Sequence, residues 1–482
     1  MAYELVVGME VHSQLLTKSK MFCGCSTAYQ DSRPNTHVCP VCLGLPGALP
    51  VINRKAVEFT IRLGLALNCE IAGVTKWDRK NYHYPDLPKG YQISQYDMPL
   101  CQNGWIEVET KERGKRRIGI RRVHLEEDTG RLTHVPGKSL VDYNRSGMPL
   151  MEIVSEPDIR TPEEGRQYLQ KLRSIIRYTG VGSGDLEAGA MRMEPNVSIR
   201  LKGTEKFGTP VEVKNLNTFR GVKLALEYEL KRQSVLISSG GKIVRETRGW
   251  QEGRGETVSQ RKKEQADDYR YFPEPDLPPL IISEAWREEI RGTMPELPDA
   301  KAARFQSELG LSPYDADVLV SDRETAEWFE EAVRFGKKMK IKPKTVSNWV
   351  TGELFRISSS QNVPLTELPI TQASLVELLA LIKKGTISQG VGKSVLEKMI
   401  ESGRSAKQVV KDEGLTQISD ESALENIVAD VLAKHPKEVK KYLKGKKAIA
   451  GYLMGQVMKA TRGKANPKVV RPMIIEKLEA MR

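Results

Sequence analysis

Glu10 and His12, in the run Gly8-Met9-Glu10-Val11-His12, stand two residues apart. On a β-strand that spacing puts both side chains on one face. Two acid-rich stretches follow, His124-Leu125-Glu126-Glu127-Asp128 and Asp142-Tyr143-Asn144-Arg145 with Glu152 beyond it. Several carboxylates with one imidazole suit Mg2+ or Mn2+, held mainly through oxygen and often shared with a nucleotide's phosphates. Sequence spacing alone does not bring the stretches together. The alternative is a set of solvated turns and ion pairs.

A second constellation is made of sulfur. Cys23-x-Cys25 and Cys39-Pro40-Val41-Cys42 give four thiols in two close pairs, separated by thirteen residues rich in turn formers (Asp31, Pro34, Asn35). Tetrahedral Zn2+ takes four soft ligands of this kind. A closed four-thiolate site has no open position, so the expected role is structural. His37 lies close enough to compete for a position, and a reduced, metal-free cluster is the plain alternative. Cys69 and Cys101 are isolated and read as buried fillers.

Common nucleotide motifs are missing. Gly390-Val391-Gly392-Lys393-Ser394 imitates a phosphate-binding loop, but Ile387 stands where the motif needs its first glycine. Gly180, Gly182 and Gly184 fail the dinucleotide spacing, since position 185 is Asp. There is no nucleophile elbow or kinase signature set. A nucleotide handled by this chain would meet a metal-centred site instead.

The elements that must carry these residues fall into an α+β region followed by helices. Short apolar alternations at 4–15, 105–109, 118–125, 197–201 and 211–213 predict strands, broken by Gly and Pro turns. Helical spacing predicts helices at 54–67, 162–179 and 217–238, with Thr161 as N-cap and Pro162 at the first helical position. Strands and helices do not alternate regularly, which favours a mainly antiparallel sheet. The stretch Tyr271 to Pro279, with four prolines, cannot be helix. Beyond about residue 290 the pattern is helical to the end. The expected divisions are 1–290, 291–405 and 406–482.

Charge separates the tail from the rest. The chain has 482 residues and a formal charge of +13. From Lys434 to Arg482 there are fourteen Lys and Arg against three acids, so nearly all the surplus lies there. Lys434, Lys437, Lys441 and Lys444 are spaced to share one helical face, and Gly451 and Gly455 to permit a close helix approach. So concentrated a basic patch is the footprint of a polyanion, nucleic acid first. No run approaches the roughly 20 apolar residues of a membrane helix. The opening segment lacks a secretory pattern, and six cysteines are too few for a disulfide scaffold. A reducing, cytoplasmic setting is the expectation.

Longer runs make the pattern recognisable. They are Asp78-Arg79-Lys80-Asn81-Tyr82-His83-Tyr84-Pro85-Asp86, Asp142 through Asp158, Lys214-Asn215-Leu216-Asn217 and Asp267-Asp268-Tyr269-Arg270-Tyr271-Phe272-Pro273. With the opening Gly8 to His12 and the run His124 to Asp128, they closely resemble the GatB chains of the tRNA-dependent amidotransferases, over essentially the whole chain. One departure is Met191-Arg192-Met193-Glu194-Pro195-Asn196, where a Cys-Asp-Ala-like sequence is expected before the Asn.

The resemblance implies a cradle of antiparallel sheet and flanking helices, similar in shape to glutamine synthetase. It implies a ligase that uses ATP and Mg2+ (or Mn2+) to phosphorylate the side-chain carboxylate of Glu-tRNA(Gln) or Asp-tRNA(Asn). Ammonia channelled from a glutaminase A subunit then gives the amide, and a small C subunit completes a heterotrimer. Glu10, His12, Glu127 and Glu152 match the family's Mg2+ positions, with Glu126 and Asp128 as close alternatives. Asn144, Arg145, Lys214 and Arg270 are candidate phosphate or channel groups. Cys23, Cys25, Cys39 and Cys42 match its zinc-binding type. The tail is expected to be YqeY-like and to bind tRNA through Lys437, Lys440, Lys441, Lys444, Lys447, Lys459, Arg462 and Lys464. The rival readings are a non-catalytic tRNA-binding or assembly component, and a stand-alone carboxylate–amine ligase.

Overall fold

The computed structural model describes residues 3–262, 269–416, 421–461 and 463–481. Asp267, Asp268 and Arg462 lie outside the described residues. The chain divides into two compact units, Met1–Pro298 and Asp299–Arg482. Among the described residues no helix is long and apolar enough to cross a membrane.

The first unit is built on a nine-stranded sheet. Across it run Glu256–Lys262, Glu246–Gln251, Val211–Lys214, Met191–Leu201, Tyr3–Gln14, Pro149–Ser155, Gly114–Glu127, Cys101–Thr110 and Glu70–Ile71. All neighbours are antiparallel except Val211–Lys214 with Glu246–Gln251. The opening strand sits in the middle. Its residues alternate: Leu5, Val7, Met9 and Val11 are buried, whereas Glu10 and His12 face the other side. The apolar face packs beneath Arg54–Ala66, Pro162–Thr179 and Phe219–Ser238. Burying it supplies the main cohesion, at roughly 25 cal/mol per Å2 of apolar area. The polar face is left for chemistry.

Local signals explain the helices. Thr161 and Glu164 form a reciprocal capping box with Pro162 inside it, and Gly180 ends that helix at φ 67°. Gly165 lies where a Cβ would meet Leu226 and Met9, so helix and sheet approach closely there. Cys69 and Cys101 are buried, as expected of fillers. Gly104 faces Cys69 so tightly that an added Cβ would sit 2.6 Å from the Leu67 carbonyl. Gly104→Ala is expected to cost about 1–3 kcal/mol through overpacking. Denaturant unfolding measures it, and an unchanged midpoint would show that this corner yields.

The second unit is all helical. Residues 389–394 form the start of the helix Gln389–Ser402, capped by Ser388, so the imitation phosphate loop is not a loop. Gly392 instead packs a helix against Ile382 and Trp349. Toward the C-terminus, Glu421–Lys434, Pro436–Leu443, Ile449–Ala460 and Pro467–Ala480 share a core of Leu424, Val428, Leu453, Val457, Ile474 and Leu478. Two expectations fail here. Lys434 ends one helix and Lys437 begins the next, because Pro436 starts a new helix after His435. Gly451 and Gly455 are exposed, and among the described residues no neighbour is in reach of a Cβ there and no helix packs against them.

Candidate active site and metal centres

The polar face of the sheet gathers the predicted carboxylates by register. His12 stands opposite Glu152, Glu152 opposite His124, and Glu10 opposite Glu194. Glu126 follows His124 two residues on, so it shares that face. His12 Nε2 lies 3.3 Å from Glu152 Oε2 and 3.7 Å from both Glu10 Oε1 and Glu126 Oε1. His124 Nε2 is 3.7 Å from Glu152 Oε2 and 3.8 Å from Glu126 Oε2. Two overlapping donor sets result, His12–Glu126–Glu152 and Glu10–His12–Glu194, each compact enough for one ion.

The electrostatics are those of crowded charge. Burial, then Glu152, pushes Glu10 up to about 7. Burial alone would lower His12, but its hydrogen bond to Glu152 and the charges of Glu126 and Glu10 outweigh that and raise it to about 9. Burial opposes ionisation of Glu152, yet His124 and His12 hold it below the usual carboxylate range. Among the described residues, the buried Nδ1 atoms of His12 and His124 have no hydrogen-bond partner. Four carboxylates facing one another around imidazole nitrogens fit a hard divalent cation, which would relieve their repulsion.

Glu127 is not part of this cluster. It alternates to the opposite face, where its Oε1 accepts from Lys89 Nζ at 2.5 Å and from the Ile93 amide at 3.0 Å. There it lines a cavity of about 180 Å3 with Cys23, Cys42 and Tyr91. Glu126, the close alternative to it in the sequence, lies on the polar floor with His12 and Glu152. Asp128 is buried and tied to Gln14 and Arg192. Nearby cations, first Arg192 and then Arg145, hold it low against the effect of burial.

The remaining candidates separate. Asn144 does not reach the carboxylates: it accepts from the His37 amide at 2.7 Å and donates to the Arg33 carbonyl at 2.7 Å, pinning the cysteine loop. Arg145 is bound to the Thr129 and Gly130 carbonyls. Lys214 joins the polar face and pairs with Glu194 at 2.9 Å and Glu212 at 3.3 Å. Arg270 adopts φ 43°, and its carbonyl accepts from Asn81. Sequence reading missed Glu194, His124 and Lys80. Lys80 is strongly raised because Glu126 and other neighbouring negative groups outweigh its burial. For Glu194 the signal was present: it sits two residues from Arg192 in the stretch already noted as a departure.

The four thiols also converge. Their sulfurs lie within 4.8 Å of one another, and those of Cys39 and Cys42 are 3.8 Å apart. Two sulfurs at 2.3 Å from a tetrahedral ion are separated by about 3.8 Å, so the set is compatible with structural zinc. His37 is not among the donors; its ring bonds Ser32 at 2.8 Å. A hydrogen bond from Cys23, with the Cys39 backbone and Lys20, draws Cys42 down to about 4. Buried Lys20 spans the site, donating to the His37 carbonyl at 2.7 Å with Cys42 Sγ at 3.8 Å.

On the tail, Lys437, Lys440, Lys441, Lys444, Lys447 and Lys459 are exposed, and Lys464 is half-buried.

The first unit thus joins a sheet floor of facing carboxylates and imidazoles to a four-thiol loop, the architecture of a catalytic domain with two candidate metal centres. The family described as the GatB/GatE catalytic domain matches residues 5–288, and a second, described as the GatB domain, matches 327–478. The B subunit of the aspartyl/glutamyl-tRNA(Asn/Gln) amidotransferase of Thermodesulfovibrio yellowstonii is 53% identical over 480 residues, covering 99% of this chain and 100% of that protein. The protein of the same name from Caldanaerobacter subterraneus is 54% identical over 479 residues, and that of Moorella thermoacetica 52% over 482, both with 99% and 100% coverage. The chain belongs to the GatB family of amidotransferases.

Proposed function

We propose that this chain activates the side-chain carboxylate of Glu-tRNA(Gln), Asp-tRNA(Asn) or both with ATP, and then amidates it with ammonia. The observation that carries this reading is the convergence of Glu10, His12, Glu126 and Glu152 from three strands onto one polar floor. A free carboxylate does not react with ammonia and must first become an acyl phosphate. Glu10, His12, Glu126, Glu152 and Glu194 would hold Mg2+ or Mn2+, which when bound offsets the charge of the transferring phosphoryl group. Lys80 adds fixed positive charge beside Glu126 on the same floor, where Lys214 pairs with Glu194 and Glu212. Cys23, Cys25, Cys39 and Cys42 hold zinc and fix the neighbouring turn.

No nucleophile–base pair for glutamine hydrolysis is evident in the sequence, which fits a supply of ammonia from a separate glutaminase A subunit, with a small C subunit completing a cytoplasmic heterotrimer. The tail, residues 406–482, binds the tRNA through its exposed lysines, and 291–405 forms the helical domain leading into it.

The decisive experiment is ATP hydrolysis by the chain assembled with its A and C partners. Stimulation by Glu-tRNA(Gln) or Asp-tRNA(Asn), but not by uncharged tRNA, is expected. No stimulation by either would reduce the chain to a binding component. Changing Lys440, Lys441, Lys444 and Lys447 together to Gln is expected to weaken tRNA binding about 10- to 100-fold at moderate salt. It should also flatten the slope of log affinity against log salt by roughly 3. Unchanged affinity in a filter-binding titration would sink the tail assignment.

A further inference from the structure

We propose that Arg192 is a direct contact to the transferring phosphoryl group, aimed by the buried carboxylate of Asp128. The inference rests on the phosphorylation reading above. Arg192 stands opposite His12 in the register between the two central strands. It therefore ends a row across the polar floor, His124, Glu152, His12, Arg192, in which directly opposed side chains have Cβ atoms about 5 Å apart. A phosphoryl group beside the carboxylates meets strong negative charge from Glu10, Glu126, Glu152 and Glu194. It needs fixed cations at the rim as well as a metal.

Two features set Arg192 apart from Lys214 on this floor. The first is how it is held. One terminal nitrogen donates to Asp128 Oδ1 at 3.1 Å. Asp128 is 2% exposed, so it cannot swing away. Its Oδ1 also accepts from the Thr129 amide at 2.9 Å, its Oδ2 accepts from Gln14 Nε2 at 2.9 Å, and Arg145 Nε lies 3.7 Å from Oδ2. The second is what remains. About a third of the Arg192 side chain is exposed (34%), and that bond engages one of five N–H donors. A planar guanidinium with donors to spare matches phosphoryl oxygens better than an ammonium does. Lys214, by contrast, is neutralised between Glu194 and Glu212. A donor fixed before the reaction needs no reorganisation as charge develops.

The test uses the assembled amidotransferase and the variants Arg192→Ala, Arg192→Lys, Asp128→Asn and the double variant Asp128→Asn/Arg192→Ala. Arg192→Ala leaves Asp128 buried without its main cation, so the neutral double variant keeps folding separate from chemistry. Expected for Arg192→Ala and the double variant is a fall in kcat for amidation of about 100- to 1000-fold. Calorimetric affinity for ATP should fall while that for AMP holds. Added guanidinium should restore part of the rate. Arg192→Lys should recover only a minor fraction, and Asp128→Asn should lose about 10-fold. Glutaminase rate and tRNA affinity are the controls. Wild-type kcat and ATP affinity in the folded double variant would overturn the proposal. So would equal losses for ATP and AMP without guanidinium rescue, which mark a structural ion pair. If the wild-type complex itself fails to use ATP with charged tRNA, the parent reading falls first and takes this one with it.

Discussion

Glu126→Gln is expected to abolish ATP-dependent amidation, by about 1000-fold or more, with loss of measurable Mg2+ or Mn2+ binding. Glu126 lies within 3.7–3.8 Å of both His12 and His124, and the substitution removes one charge while keeping shape. Its sequence neighbour should behave differently. Glu127→Gln leaves the divalent-ion affinity intact, because Glu127 faces the other side of the sheet. It strands Lys89, a cation that is 9% exposed, and should cost stability instead, about 1–3 kcal/mol. Ion titration and thermal melting of the two variants side by side separate these outcomes. A Glu127→Gln protein that melts normally but no longer binds the ion would return the site to the other face.

Removal of zinc should have the second large effect. Structural zinc contributes on the order of 10 kcal/mol to the segment it folds. A chelator, or Cys39→Ser, is expected to release one zinc per chain and to expose 26–38 to proteolysis. Amidation should fall although no carboxylate has been touched. The route is visible in the hydrogen bonds. Lys20 spans Cys42 and the Tyr143 carbonyl, Met21 donates to Gly147, and Gly147 donates to the Asp128 carbonyl. A dye assay for released metal with a protease time course measures both. A chain that carries no zinc as isolated, with four reactive thiols and full activity, would contradict the assignment.

How much of this was legible beforehand follows from which signals are periodic. The alternation in the opening strand was explicit, so Glu10 and His12 were placed on one face correctly. The capping pair at Thr161 and Pro162 and the helices near 54, 162 and 217 were local signals, and they hold. The choice between Glu126 and Glu127 depends on a pleat phase one residue wide, and the structure puts Glu126, kept as the alternative, on the face of His12 and Glu152. Neighbours in a strand point to opposite faces, and family matching cannot resolve that. Arg192 and Glu194 lay in a strand whose partner across the site, Tyr3–Gln14, is some 180 residues away. Asn144 carried no mark that it would bond a loop more than a hundred residues earlier.

The central position of the opening strand bears on how the protein is made. Tyr3–Gln14 is hydrogen-bonded on one side to Pro149–Ser155 and on the other to Met191–Leu201. Once made, this strand must therefore wait for both neighbours to leave the ribosome, with loops of roughly 140 and 180 residues to close. Until about residue 200 has emerged, its apolar face and at least one backbone edge stay open to wrong partners. The candidate cation site matures in the same order. His12, Glu126 and Glu152 can meet once about residue 155 has emerged, whereas the set of Glu10, His12 and Glu194 needs the strand Met191–Leu201, so only chains that run past 194 can hold both sets.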